Sequence, residues 1–345
     1  MRNYRVGIVG CSGIAIGKAN ESPLFGPFSG RHVSAYAKMG CQIVAVCDII
    51  KERADNAAAA YKAKAFYSVR EMLDSGIKID ACSMCTAGKE NGGDHYKPTM
   101  ELLGAGLPVL GEKPISNEID KAAEMAALAS EKNIPYAINL NHRFTPAALR
   151  AKEWITSGRL GQLHIINMRM WINNPNESAE WFHLRALHPH SIDVMRYFCG
   201  DVKTVHAFMS KGKGRKIWSN AQVGMLFQNG IVGNLTGSYD AGGSFGLECC
   251  DVTGSDGRFV LEDACERLFF YPRHSMEVER FDYIGGMRSF GETFKSRISF
   301  WVKQLIDKAP PDKIEASGLE AYKAQRIIEG AIKSFETGKD VDVTV

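Results

Sequence analysis

The first 140 residues alternate short apolar strand segments with helical segments, and this alternation constrains the fold more than any other feature. Strand-like runs cover residues 4–9, 43–47, 80–86, 108–110 and 136–140, with a further short strand around Phe66. Helical patterns cover 51–61, 96–105 and 122–130. Each strand is apolar throughout, which is typical of a parallel sheet covered on both faces. The pattern therefore predicts an α/β domain with helices on both sides of a parallel sheet.

The pattern changes after about Asn141, where strand follows strand with glycine turns between them. Such segments cover 162–171 and 202–278, while helices are predicted over 145–157 and 318–337 and a last strand over 341–345. This part predicts an α+β domain with a large, mostly antiparallel open sheet. A chain of 345 residues is long enough for about two domains. We place them at residues 1–137 and 138–345.

The charge and the cysteine content indicate which classes of partner and which cellular compartment suit this protein. The net charge is only +3, from 42 basic and 39 acidic residues, which is too small to indicate a nucleic acid or membrane partner. No apolar run approaches the ~20 residues of a membrane span, and no apolar signal region follows Met1. The nine cysteines are odd in number and lie mostly in apolar segments, which favours reduced thiols. We therefore expect a cytoplasmic protein with a small-molecule partner.

The first strand leads directly into a glycine turn, Gly10-Cys11-Ser12-Gly13-Ile14-Ala15. A strand, a glycine turn and a helix bring free backbone N–H groups and the positive end of a helix to one point, which suits a pyrophosphate. The three fingerprint positions are Gly10, Ser12 and Ala15, so serine replaces the middle glycine. By itself the turn fits an ordinary strand-to-helix loop equally well.

Asp48 strengthens the dinucleotide interpretation because it ends the second strand. An acid there accepts hydrogen bonds from both hydroxyls of an adenine ribose and repels a ribose phosphate, which favours NAD over NADP. Asp48 is also placed to cap the helix that starts at Lys51. The interval from the glycine turn to Asp48 exceeds the usual ~20 residues because of segment 20–30, which is either a loop over the cofactor or active-site mouth or a passive surface insertion.

Two later motifs resemble the glucose–fructose oxidoreductase / inositol dehydrogenase (Gfo/Idh/MocA) family. The first is Glu112-Lys113-Pro114, which follows His95, Gly104-Ala105-Gly106 and the fifth strand, and the second is His188-Pro189-His190-Ser191-Ile192-Asp193. Supporting segments are 141–146, 157–161 and 317–321. The resemblance covers nearly the whole chain and implies a Rossmann-like first domain that binds NAD.

The resemblance also implies the catalytic residues. Lys113 matches the family's lysine, whose ammonium hydrogen-bonds the reacting hydroxyl and stabilises alkoxide character as hydride leaves. His190 matches the active-site histidine that takes the hydroxyl proton during oxidation. The family usually carries an aspartate four residues before that histidine and a glycine two before it. Here those positions hold Ala186 and His188, so either His190 is the only base or His188 or His183 supplies a second group.

The remaining site residues follow from the same match. The predicted cofactor-binding residues are Gly10, Ser12, Gly13, Ile14, Asp48, Thr86, His95, Glu112, Lys113 and Pro114. The predicted substrate-binding residues are Arg143, Arg169, Trp171, His183 and His188. An aromatic face on sugar C–H groups, together with polar side chains on the hydroxyls, suits a pyranose, cyclitol or glycoside. The clustered histidines lack a nearby carboxylate or thiolate set, so we predict no metal site.

The primary hypothesis is an NAD-dependent oxidoreductase that moves a hydride between nicotinamide and a secondary hydroxyl of a sugar, glycoside or cyclitol. One alternative is an NAD-retaining, redox-neutral glycosidase, which oxidises its substrate only transiently. Another is a non-catalytic relative that binds NAD or a sugar as a signal. Relatives commonly pair the open faces of their sheets, so the resemblance implies a homodimer or homotetramer.

Overall fold

The computed structural model describes residues 4–16, 31–88, 94–241, 247–262, 266–283 and 290–345. The segment 20–30, predicted to be a loop over the cofactor or a surface insertion, lies outside these residues. The described chain divides into two compact units, Met1–Asn139 with Ser289–Tyr322, and Leu140–Arg288 with Lys323–Val345.

The first unit contains six short parallel strands. They are Arg5–Val9 (β1), Gln42–Cys47 (β2), Lys64–Phe66 (β3), Ala81–Met84 (β4), Val109–Gly111 (β5) and Tyr136–Ile138 (β6). The intervening helices are His32–Lys38 (α1), Lys51–Tyr61 (α2), Val69–Asp74 (α3), Tyr96–Gly104 (α4) and Ile119–Glu131 (α5). The strand order is β3-β2-β1-β4-β5-β6, the doubly wound order in which ligands bind at the carboxyl ends of β1 and β4. The predicted Rossmann-like fold is confirmed.

The second unit is built on a nine-stranded sheet. Its elements begin with Pro146–Thr156 (α6), Leu163–Trp171 (β7), Phe182–Cys199 (α7), Val202–Ser210 (β8), Asn220–Phe227 (β9), Val232–Ser238 (β10), Leu247–Gly254 (β11), Gly257–Glu262 (β12), Arg267–Pro272 (β13) and Glu279–Asp282 (β14). The chain ends with Phe290–Ile306 (α8), Gly318–Thr337 (α9) and Val341–Asp342 (β15). The strand order is β14-β13-β12-β11-β7-β10-β9-β8-β15, and only the β7–β10 pair is parallel. The predicted mostly antiparallel sheet is confirmed.

One face of the large sheet forms the core of the second unit. The helix α7 packs against β7, β9 and β10, whose core-facing residues include Met168, Val223 and Leu235, each 1% exposed or less. A short 3-10 helix, Asn141–Phe144, packs against both α6 and α7. These contacts fix the position of α7, which carries the motif at residues 188–193.

Helix α8 lies in the first unit, whereas the proposed domain boundaries put all residues after 137 in the second domain. Its residues Ile298, Trp301 and Val302 are at most 2% exposed and share a core with Val6 and Ile8 of β1. The chain therefore returns to its first unit late in the sequence, and an alternation pattern cannot show such a return. Among the described residues, no helix is both long and apolar enough to span a membrane.

Candidate active site

The glycine turn sits where β1 closely approaches the end of β4. Gly10 has φ +88°, and a Cβ there would lie 2.6 Å from the backbone nitrogen of Thr86 and 2.7 Å from the carbonyl carbon of Cys85. Only glycine meets both constraints without strain. Among the described residues, the atom nearest to a Cβ at Gly13 would be Arg31 Nη1, at 3.8 Å. The turn therefore fits the close backbone approach that a pyrophosphate needs.

The glycine turn and α1 are separated in sequence but connected by backbone hydrogen bonds. Residues 13–16 form a turn, and α1 begins only at His32. The backbone N–H groups of His32 and Val33 donate to the carbonyls of Ile14 and Ala15, at 3.4 and 3.2 Å. The turn thus occupies the position of a first helical turn, although residues 17–30 separate it from α1 in sequence.

Asp48 connects the second strand to the glycine turn. Its Oδ2 accepts a hydrogen bond from the Cys11 backbone N–H and its Oδ1 accepts one from Ile50 N–H, both at 2.8 Å. The N-cap of α2 is Ile50 and has no side-chain cap, so Asp48 does not cap this helix. Each carboxylate oxygen has a second lone pair, which leaves acceptor capacity for the hydroxyls of a ribose.

Glu112 anchors a buried polar network beside Lys113. Its Oε1 lies 2.8 Å from His32 Nε2 and accepts a hydrogen bond from Asn139 Nδ2 at 2.6 Å. The other nitrogen of His32 lies 2.9 Å from Ser83 Oγ. His32 and Ser83 have no exposed surface, and Glu112 and Asn139 are at most 6% exposed. The network therefore connects residues from α1, β4 and the segments after β5 and β6.

Electrostatics in this network favour a charged Glu112 and a more acidic Lys113. Burial disfavours the carboxylate, but the hydrogen bond and charge of His32, with the charge of Lys113, hold the pKa of Glu112 below its usual value. Burial lowers the pKa of the Lys113 amine, and the charge of Glu112 opposes this effect. A lysine with a lowered pKa is closer to the pH range in which proton transfer is efficient.

His95 holds the Glu112-Lys113-Pro114 segment against the segment after β4. Its Nδ1 lies 2.7 Å from the Pro114 carbonyl oxygen and its Nε2 lies 2.9 Å from the Thr86 carbonyl oxygen. Thr86 Oγ1 donates to the carbonyl of Asp94 at 2.8 Å, and the Lys113–Pro114 peptide bond is cis. The first unit thus brings the predicted cofactor residues together at the carboxyl ends of β1, β2, β4 and β5.

His190, on α7 of the second unit, stacks on a second histidine. Its ring lies 4.2 Å from the ring of His142, with an interplanar angle of 9°. The Nδ1 of His142 is 2.9 Å from Oε1 and 2.8 Å from Oε2 of Glu248 on β11. His190, His142 and Glu248 are 6%, 2% and 4% exposed. The predicted base therefore belongs to a buried cluster with a carboxylate.

The structure places three of the predicted substrate-binding residues in the interior of the second unit. Arg143 forms a bidentate ion pair with Asp193 and lies over the ring of Tyr197. His183 and His188 are fully buried, and their Nε2 atoms are 3.1 Å apart. Burial lowers the pKa of His183 to about 4 and that of His188 well below its usual value, so both rings are neutral. The substrate contacts proposed for these three residues stay predictions.

The other two predicted substrate residues lie near the end of β7 on the open face of the sheet. Arg169 is exposed and its Nη2 is 3.2 Å from Cys249 Sγ. Trp171 is half-buried and its Nε1 donates to Thr236 Oγ1 at 3.3 Å. Their roles stay predictions. Among the described residues, no group of three or more His, Cys, Asp or Glu side chains is arranged to hold a metal ion.

Sequence patterns alone did not identify four of the residues that support the predicted catalytic groups. They are His32, Asn139, His142 and Glu248. Each lies in an apolar or short segment with no recognisable spacing to its partner, and their partners are between 27 and 106 residues away. Only the fold brings them together.

Two family models match the chain. One, described as the oxidoreductase family with an NAD-binding Rossmann fold, covers residues 4–140. The other, the GFO/IDH/MocA C-terminal domain, covers residues 148–260. Together they account for well over half of the chain and both of its units.

Two curated relatives match parts of the chain at less than 30% identity. Levoglucosan dehydrogenase of Pseudarthrobacter phenanthrenivorans is 23% identical over 238 residues, which are 57% of this chain and 61% of that protein. D-glucoside 3-dehydrogenase of Escherichia coli is 28% identical over 139 residues, which are 40% of this chain and 38% of that protein. The match thus spans less than two thirds of either relative. A structure of levoglucosan dehydrogenase with NADH and levoglucosan aligns over 100% of both chains with a TM-score of 0.83 at 19% identity, which supports the fold.

The geometry of the turn predicts a large difference between two glycine substitutions. Gly10→Ala should lose NAD affinity and several kcal/mol of unfolding free energy, because its Cβ would overlap the backbone of Thr86 and Cys85. Gly40→Ala is the matched control, since Gly40 has φ +72° but a Cβ there would have no atom of a described residue within 4 Å. It should cost only about 1–2 kcal/mol for the left-handed backbone. Urea unfolding and NAD titration measure both, and equal losses in the two variants would contradict the close approach.

Proposed function

The chain belongs to the GFO/IDH/MocA oxidoreductase family, and its first domain is an NAD-binding Rossmann fold. We therefore propose that the protein is an NAD-dependent dehydrogenase of a sugar, glycoside or cyclitol. It oxidises a secondary hydroxyl to a ketone or runs the reverse reaction. The relatives named levoglucosan dehydrogenase and D-glucoside 3-dehydrogenase support a pyranose as the substrate class.

The observation that carries this proposal is the placement of Lys113. It lies two residues after the end of β5, at the carboxyl edge of the parallel sheet, where a doubly wound fold binds its ligand. Glu112 and the network behind it fix the backbone that carries this lysine. A half-buried ammonium at this edge is suited to stabilise negative charge that develops on a substrate oxygen.

The residues that would hold the cofactor are in the first unit. The backbone of the turn at Gly10 to Ile14 would take the pyrophosphate, and Asp48 would accept hydrogen bonds from the adenine ribose. Thr86, His95 and the segment 112–114 lie at the strand ends that would border the nicotinamide. Bound NAD supplies the hydride acceptor.

The protein's own residues would accept the proton of the reacting hydroxyl and stabilise the negative charge on its oxygen. Lys113 donates a hydrogen bond to the reacting hydroxyl oxygen and stabilises it as the C–H bond breaks. A ring nitrogen of His190 accepts the hydroxyl proton. The carbinol carbon would give up its hydrogen as hydride, with two electrons, to the acceptor that bound NAD supplies, and a C=O bond would form at that carbon. Arg169 and Trp171 are our candidates to bind the sugar, the first through its hydroxyls and the second through its C–H faces.

The first functional prediction concerns Lys113. Wild-type protein mixed with NAD and a panel of pyranoses, glycosides and inositols should form NADH with one sugar class, followed by absorbance. Lys113→Met should lower this rate about 100- to 1000-fold, the usual effect of removing one group that stabilises a developing oxyanion, at NAD concentrations that saturate the variant. Lys97→Met is the control because Lys97 is an exposed lysine of α4.

Two results would contradict this assignment. One is a Lys113→Met variant that keeps wild-type turnover. The other is a panel that gives no NADH although calorimetry shows that NAD binds, because this result would favour the redox-neutral glycosidase or a binding protein.

The second prediction concerns cofactor choice. The Asp48 carboxylate should repel the 2′-phosphate of NADP, so NAD should bind at least about tenfold more tightly, as expected for a like-charge contact of a few kcal/mol. Asp48→Asn removes the negative charge and should lower the ratio of the NAD affinity to the NADP affinity. Asp55→Asn, on the exposed face of α2, should leave it unchanged. Equal affinities of the wild-type protein for NAD and NADP would refute the role of Asp48.

We also propose that the protein is a cytoplasmic homodimer or homotetramer. Its eight described cysteines are free thiols, which suits a reducing compartment. On the open face of the large sheet, Ile165, Val232 and Leu226 lie side by side in register across β7, β10 and β9. They are 38%, 46% and 41% exposed. An apolar row of this kind supports pairing with a second copy.

The third prediction therefore concerns mass in solution. Light scattering at micromolar concentration should give two or four times the chain mass of 38.0 kDa. Val232→Glu should shift the population towards the monomer, because it places a charge in the centre of the apolar row. Met276→Glu, at a fully exposed side chain outside this row, should not. A monodisperse wild-type monomer would count against the proposal.

A further inference from the structure

We propose that Glu248, acting through His142, is the positioning carboxylate of His190. This inference rests on the proposed role of His190 as the base. Four residues before His190, where the resemblance leads us to expect an aspartate, the chain has Ala186. The structure supplies a carboxylate from a different element, the strand β11, and connects it to His190 through a stacked imidazole.

The contact chain is short and buried. A carboxylate only accepts hydrogen bonds, so His142 donates from Nδ1 to Glu248, at 2.8–2.9 Å. This bond fixes the orientation and tautomer of the His142 ring. The ring then lies parallel to His190 with 4.2 Å between centroids. Because all three side chains are at most 6% exposed, little water is present to screen the carboxylate charge.

The backbone explains why this arrangement is rigid. His142 lies in the 3-10 helix Asn141–Phe144, and its neighbour Arg143 forms a bidentate ion pair with Asp193. Asp193 is one helical turn after His190 on α7. The ion pair thus holds the 3-10 helix against the same part of α7 that carries His190. Glu248 is fixed in turn by the pairing of β11 with β7.

The other charges around His190 do not replace Glu248. The core-facing side chains of β7, β9 and β10 that pack against α7 are apolar. The titratable and charged groups on α7 or packed against it include His142, Arg143, Lys152, Glu248, His183, His188, Asp193 and Cys199. They also include two ion pairs, Arg185–Glu329 and Arg196–Asp201. Arg143 and Asp193 neutralise each other, and burial keeps His183 and His188 neutral. Lys152 donates to the Tyr197 carbonyl, two turns further along α7.

The consequence is a specific effect on proton transfer. When His190 takes the hydroxyl proton its ring becomes cationic, and the carboxylate of Glu248 stabilises that cation through the polarised His142 ring. Removing the charge should therefore lower the pKa of His190. It should also make His190 a weaker base, which slows the step in which the hydroxyl loses its proton.

The experiment compares Glu248→Gln with wild-type protein by two readouts. Histidine labelled with 13C at Cε1 reports the His190 titration directly by NMR, and the signal is assigned by its loss in His190→Asn. We expect the His190 pKa to fall by about one unit in Glu248→Gln. With an active sugar, the acidic limb of the kcat/KM profile should move to lower pH by the same amount. Its plateau should fall about 3- to 10-fold.

Three further variants separate the charge from the packing. Glu248→Asp keeps the charge and should restore most of the wild-type titration. Glu262→Gln removes a carboxylate from the neighbouring strand, at the register partner of Cys249, and should change neither readout. His142→Phe keeps a stacked ring but loses the bond to Glu248, and should lower the His190 pKa as Glu248→Gln does. This variant decides the question if Glu248→Gln does not fold.

The outcomes separate this inference from the proposed function. A His190 pKa that is unchanged in folded Glu248→Gln or His142→Phe overturns the inference, whether or not the protein is a dehydrogenase. A protein that oxidises no sugar, but in which the His190 pKa falls as expected, supports the carboxylate's influence and refutes only the proposed reaction.

Discussion

The candidate site of the first unit depends on the hydrogen bonds of one buried carboxylate, that of Glu112. It binds His32 of α1 and Asn139 after β6, and its own backbone N–H donates to Met84 of β4. A carboxylate with 6% exposure is stable only if its charge is compensated, and breaking such a pair typically costs about 3–5 kcal/mol. Because Lys113 is the next residue, the same contacts that satisfy Glu112 also fix the position of the lysine.

The second unit also contains a buried carboxylate bonded to a histidine, formed by a different set of residues. There the buried carboxylate is Glu248, and its partner His142 lies against His190. In both units a histidine lies next to a carboxylate from a distant segment, and the group proposed to act in catalysis is the neighbour of that pair. In each unit, a pair formed by a histidine and a carboxylate therefore lies beside the residue proposed to act in catalysis.

The sequence predicted the elements whose patterns are local. The apolar runs of β1, β2 and β4 and the amphipathic helix α9, predicted over 318–337 and found as Gly318–Thr337, carry their own signal in their periodicity. It did not predict that α8 belongs to the first unit, because burial of Trp301 against β1 depends on chain topology.

The site shows the same division between local and long-range information. Lys113 and His190 were identified because each lies in a contiguous motif that resembles a family. His183 and His188 lie in the same motif region, but both are completely buried against the glycine at position 237, where a Cβ would be 1.9 Å from His188 Nε2. Spacing along α7 cannot show which face of the helix meets that glycine. Glu248 and His142 are 106 residues apart, so only the folded structure pairs them.

The central claim is that a hydride passes directly from a sugar carbon to NAD, and isotope transfer tests it most directly. The sugar that reduces NAD fastest would be supplied with deuterium on its ring carbons, and the cofactor recovered for mass spectrometry and NMR. Direct transfer predicts one deuterium at C4 of each NADH formed and a keto-sugar that has lost one. NADH without deuterium, or a sugar that is consumed while its deuterium never reaches the nicotinamide, would contradict the claim.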